Sequence, residues 1–121
     1  MKMLKLLVAI LFAFATFQSV NAQSDKSQRE IGIKTQRIKV SGKCSMDKRR
    51  IEAAAYSVDG IKSAVWDEYT QVLTLKYSIF KKAAADSVQK KIALAGNDTE
   101  LYKATDTAYN RLPDCCHYRK S

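Results

Sequence analysis

The chain has 121 residues, with 21 Lys and Arg against 12 Asp and Glu and a formal net charge of +9. That length suits one domain with a modest core and excludes a large multidomain enzyme. The cations lie singly or in short groups (Lys48-Arg49-Arg50, Lys81-Lys82, Lys90-Lys91). This argues against a nucleic-acid-binding stripe and for a soluble surface with some attraction to anionic partners or membrane.

Lys2 and Lys5 precede an almost unbroken apolar run over residues 6–17, followed by Val20-Asn21-Ala22. A positive start, a short apolar stretch and small residues at the cleavage positions predict a signal peptide over residues 1–22. The run is shorter than the roughly 20 residues that span a bilayer, which argues against a membrane anchor. No cysteine stands near Ala22, so a lipoprotein is not indicated. Periplasmic or secreted localisation follows, with membrane contact only through partners. Three cysteines remain in the mature part, Cys44, Cys115 and Cys116. An odd number leaves either a free thiol or a ligand-binding role.

Residues 23–35 are read as a polar, flexible lead-in. Ile31-Gly32-Ile33 reads as a short extended stretch out of phase with Ile38 and Val40, so it is not expected to be one regular strand with residues 37–40, which alternate as the first strand. Ser41-Gly42-Lys43 ends it. Ile51, Ala54, Ala55 and Val58 recur at helical spacing, with Ser45 or Asp47 placed to cap the N-terminus and Asp59-Gly60 to stop the helix. Strands are predicted over 61–66 and 72–79, the second burying Leu73, Leu75 and Tyr77, with a hairpin loop over 67–71. Trp66, Tyr77 and Phe80 read as core or sheet-face packing. A second helix over 83–95 carries Ala85, Val88, Ile92 and Ala95 on one stripe. Gly96-Asn97-Asp98 closes it, and residues 100–104 are expected as an edge strand. The predicted fold is α+β, a ferredoxin-like βαββαβ sandwich with two helices on one face of a four-stranded antiparallel sheet. Residues 36–105 form the domain. Residues 106–121 form a tail whose first seven residues read as one or two helical turns ended by Pro113.

The loop before the first helix suits a soft metal ion, because backbone N–H groups and the helix dipole favour a Cys44 thiolate there. Cys44-Ser45-Met46-Asp47, Ile51-Glu52, Asp59-Gly60-Ile61 and the glycine of Gly96-Asn97-Asp98 together resemble the heavy-metal-associated domains of copper chaperones, copper-transporting ATPases and periplasmic mercury-binding proteins. The likeness covers about residues 37–105. Ala108-Tyr109-Asn110-Arg111-Leu112-Pro113-Asp114-Cys115-Cys116 is similar to the tail of exported single-domain members. The resemblance implies two thiolates in a Cys-x-x-Cys loop, but here Asp47 replaces the second Cys and Gly42 replaces a Met of the pattern. A carboxylate is poor for copper(I) and acceptable for zinc.

The candidate metal ligands are therefore Cys44 with Cys115, Cys116 or both, and His117 beside them, with Met46 as a soft supplement. Asp47 is counted among the candidates but reads most simply as a helix cap. The competing expectation is a disulfide from Cys44 to a tail cysteine, stapling an interaction module that kept the fold and lost the metal. No phosphate-cradling loop, paired carboxylates or Cys-x-x-Cys motif supports an enzyme. The leading expectation is an exported carrier or buffer of copper(I), with zinc or mercury behind. A metal-transporting ATPase or efflux component is the partner the resemblance implies, and nucleic acid is not.

Overall fold

The computed structural model describes residues 31–120, so the expected signal peptide and most of the lead-in lie outside the described residues. Three strands, β1 (Ile33–Lys39), β2 (Ile61–Asp67) and β3 (Val72–Ser78), form an antiparallel sheet in the order β1-β3-β2. Helices α1 (Ser45–Tyr56) and α2 (Ala84–Leu94) pack against each other, and α1 also packs on β2. A short α3 (Asp106–Asn110) and a 3-10 turn (Asp114–Cys116) follow.

The core forms where the two-residue period of the strands meets the helical stripes. Ile38, Trp66, Leu73, Leu75, Ile51, Val88 and Ile92 are fully buried in one cluster, each large side chain contributing about 1.5–3 kcal/mol. Phe80, expected in packing, is instead 84% exposed. It follows β3 in a turn closed by Lys81 N–H donating to the Ser78 carbonyl, beyond the reach of the sheet face.

Two strand expectations are corrected. β1 is one continuous strand, registered from Ile33↔Ser78 to Lys39↔Val72. Ile33 is out of phase because it lies on the face away from the helices, while Ile38 lies on the buried face. The sheet has three strands, not four, because residues 100–104 form no strand. A single bridge, Val40↔Thr99, stands where the fourth strand would begin. Its continuation is prevented locally. Thr99 N–H donates to the Tyr102 carbonyl and Tyr102 N–H to Thr99 Oγ1, closing a turn. Leu101 N–H donates to Gln89 Oε1 and Ala104 N–H to Asp98 Oδ1. The β1 edge is met by a side chain instead, Lys39 N–H donating to Glu100 Oε1 at 2.7 Å.

The opposite edge is closed from above by α1. Trp66 N–H donates to Glu52 Oε2 at 2.8 Å and Ala64 N–H to the Tyr56 hydroxyl at 3.2 Å. Two backbone donors of an edge strand thereby find partners without a neighbouring strand.

Candidate metal centre

The β1–α1 loop is shaped by a close approach. Trp66 Nε1–H donates to the Val40 carbonyl, and its ring lies so near Gly42 that a Cβ there would stand 2.7 Å from two ring carbons. Glycine at 42 is therefore a steric requirement of the indole. Gln71 Nε2–H donates to the Gly42 carbonyl, tying the loop to the β2–β3 hairpin.

Cys44 is the N-cap of α1 and Asp47 its third residue. The Asp47 carboxylate is fully buried and turned back into the loop. Oδ2 accepts from Lys43 N–H at 2.7 Å and Cys44 N–H at 3.2 Å. Oδ1 accepts from Arg50 Nη1 at 2.7 Å and Asn97 Nδ2 at 2.9 Å. Asn97 also donates to the Ser41 carbonyl. A buried charge is tolerable when it is paired and hydrogen-bonded in this way. At the position where the resemblance puts a second thiolate, the chain has a carboxylate that caps a helix and joins the loop to the α2 terminus.

The tail brings the other sulfurs. Thr105 caps α3 by accepting from Ala108 N–H, and α3 leads into the 3-10 turn that carries Cys115 and Cys116. Leu112 packs on Gly96, where a Cβ would meet Leu112 Cδ2 at 2.8 Å and the Ala108 carbonyl at 2.9 Å; Gly96 also has φ +112°. Tyr109, Leu112 and Cys116 form a second buried cluster, joined by Cys44 and Tyr118. The Tyr118 hydroxyl donates to the Gly96 carbonyl and accepts from Asp98 N–H. Arg119 pairs with Asp98 at 2.8 Å and Asp106 at 3.1 Å, donates to the Ala104 carbonyl, and lies 4.4 Å from the Tyr109 ring centroid. Burial pushes the Tyr118 phenol well above its ordinary range, and the Asp98 carboxylate holds the Arg119 guanidinium firmly charged.

The result is a cluster in which the sulfurs of Cys44, Cys115 and Cys116 all lie within 4.8 Å of one another. Cys44 and Cys116 are joined in a disulfide, with Cα atoms 5.6 Å apart. Cys115 is free and exposed, its sulfur 3.9 Å from that of Cys116. Asp47 and His117 stand outside this trio of mutually close sulfurs, although Asp47 Oδ2 lies 3.6 Å from the Cys44 sulfur. His117 Nε2 is hydrogen-bonded to the Leu112 carbonyl at 3.0 Å, and the ring stacks on Tyr109 at 4.8 Å. Met46 sits in the first turn of α1 with 43% of its surface exposed. Sequence reasoning missed the residues that place the tail: Asp98, Tyr118, Arg119 and the ring of Tyr109. Tyr109 and Asp98 stand in the resembled motifs without a role in placing the tail, and a Tyr-Arg pair directly after Cys-Cys-His is the further signal.

No family model matches the chain, and no curated protein matches it. Among solved structures, the chain is similar to the CopZ metallochaperone, at 24% identity and a TM-score of 0.51 over 55% of this chain and 98% of that one. It is also similar to a solution structure titled as a ZiaAN sub mutant, at 29% identity and a TM-score of 0.47 over 55% of this chain and 94% of that one. The CopZ comparison supports a fold of the heavy-metal-associated type.

Proposed function

We propose that the protein binds a soft transition-metal ion as cargo through Cys44, Cys115 and Cys116, and acts as an exported carrier or buffer, not as an enzyme. The observation that carries this reading is the convergence of the chain's three cysteines, 72 residues apart between Cys44 and Cys116, on the loop at the N-terminus of α1. Sulfurs bound at about 2.3 Å around a three-coordinate ion stand about 4 Å apart, and the Cys115 and Cys116 sulfurs are 3.9 Å apart. A set of three thiolates selects copper(I), zinc or mercury over hard cations, and copper(I) is the first choice. The exposed Cys115 is the natural point for ligand exchange with a metal-transporting ATPase or efflux component. The likeness to a metallochaperone agrees with this reading at the level of fold.

The second reading, a disulfide-stapled interaction module without metal, draws on the Cys44–Cys116 bond. An anaerobic copper(I) competition titration of the fully reduced protein separates the two. Tight one-to-one binding, weakened both by Cys44→Ser and by Cys115→Ser/Cys116→Ser, supports the metal site. Equal, weak binding by the wild type and both variants leaves the stapled module.

A further inference from the structure

We infer that the Cys44–Cys116 bond and the metal ion are alternative occupants of one three-sulfur cluster, exchanged by thiol–disulfide chemistry while the tail stays docked. The inference rests on the metal-binding reading above and adds its regulation. A sulfur in a disulfide carries no thiolate charge, so in the bonded form only Cys115 can act as a ligand. Reduction releases the other two thiols within 4.8 Å of it.

What makes this a lock on the ligands, and more than a staple, is that the bond is redundant for placing the tail. Leu112 against Gly96, the two hydrogen bonds of the Tyr118 hydroxyl, and the Arg119 contacts to Asp98, Asp106 and the Ala104 carbonyl are all made by groups other than the bonded cysteines. Tyr109 is packed by His117, Tyr118 and Arg119 together. On reduction the three sulfurs therefore remain gathered, and no loop has to close before metal enters.

The exposure of the two sulfurs gives the exchange a direction. Cys116 is fully buried while Cys44 is half-buried, so an external thiolate, from a small thiol or a dithiol protein, attacks the Cys44 sulfur. The Cys44–Cys116 bond breaks, and Cys116 leaves as a thiolate and takes up a proton. A second reductant thiol then attacks the reductant's own sulfur in the mixed disulfide and displaces Cys44 as a thiolate at the α1 N-terminus, where the helix dipole favours the charge. Two electrons and, with Cys44 left as a thiolate, one proton enter the protein, and the reductant departs as a disulfide. In the opposite direction a disulfide oxidant takes two electrons from Cys44 and Cys116, and the metal, left with Cys115 alone, departs.

The test uses the full chain in two forms, air-oxidised and phosphine-reduced then desalted, each titrated anaerobically with copper(I) against a chromophoric chelator. Thiol counting should give one in the oxidised form and three in the reduced form. The reduced protein should bind copper(I) one-to-one. The oxidised protein should bind no tighter than Cys44→Ser/Cys116→Ser, and the Asp98 and Arg119 amides should stay protected from hydrogen exchange in both forms. Equal tight binding by both forms overturns the lock and leaves the metal reading standing. Tail amides that exchange at free-peptide rates after reduction overturn the docked, preformed site. Binding by neither form overturns the metal reading and this inference with it.

Discussion

The core and the tail of this molecule are held by different physics. From β1 to α2, position follows from apolar burial: Ile38, Trp66, Leu73, Leu75, Val88 and Ile92 are inaccessible, and each contact has many neighbours to share its loss. Among its described residues the tail buries only Tyr109, Leu112 and Cys116, and it relies on directional bonds, most of those to the body running to the single loop Gly96-Asn97-Asp98. Apolar packing makes a stable body of ordinary tolerance. A short segment with little to bury keeps one position through paired charges, directional hydrogen bonds and a close-packed glycine. The cysteines straddle the two regimes, Cys44 on the body and the other two on the tail.

Substitutions should expose the division. Trp66→Ala removes the indole from beneath Gly42 and should cost about 3–5 kcal/mol of global stability, read by denaturant melts in which body and tail unfold together. Cys116→Ser opens a link across 72 residues and should cost about 2–4 kcal/mol, chiefly by freeing the unfolded chain. Tail amides should nevertheless stay protected at low denaturant; their loss would show that the bond, not Tyr118 and Arg119, places the tail.

Arg119→Met should weaken only the tail, by about 1.5–3 kcal/mol, with amide exchange rising at Asp98 and Arg119 but not at Ile38 or Leu75. The effect should be clearest after reduction. The smallest effect is an acid one. Burial raises the Asp98 pKa, but the Arg119 guanidinium and the Ala104 N–H outweigh it and hold the carboxyl below its ordinary 3.8. Its contribution is complete above that value and is lost as pH falls through the lowered folded one. Reduced protein titrated below pH 3.8 should therefore loosen at Tyr118 and Arg119 before the body melts. An Asp98→Asn variant that shows the same acid loosening would assign it to another group.

The body was largely legible because its pattern is local. The helical stripe of Val88 and Ile92 and the alternation of Leu73, Leu75 and Tyr77 need no tertiary information. The misreadings fall where local pattern stops deciding. Ile33 is out of phase with Ile38 because it serves the other sheet face. Residues 100–104 look extended, yet their backbone donors are taken by Asp98 and Gln89 and by the turn that Thr99 and Tyr102 close. Cysteines at these positions flagged a site by chemical type, and Gly42 and Asp47 were visible as departures from the resembled pattern. That an indole requires Gly42, and that Arg50 and Asn97 occupy Asp47, depends on residues up to 50 positions away. Single-sequence spacing carries no trace of such partners.

The packing of Trp66 beneath Gly42 also equips the protein with its own optical gauge. The chain has one tryptophan, and its ring lies against a residue two positions before Cys44 and is hydrogen-bonded to the Val40 carbonyl of the same segment. Emission from that one indole, excited selectively over the six tyrosines, reports on the loop and on the core cluster it packs in, without labels and without contributions from other indoles. Loading, oxidation and partner docking should each be observable in the unmodified protein as a shift in one spectrum.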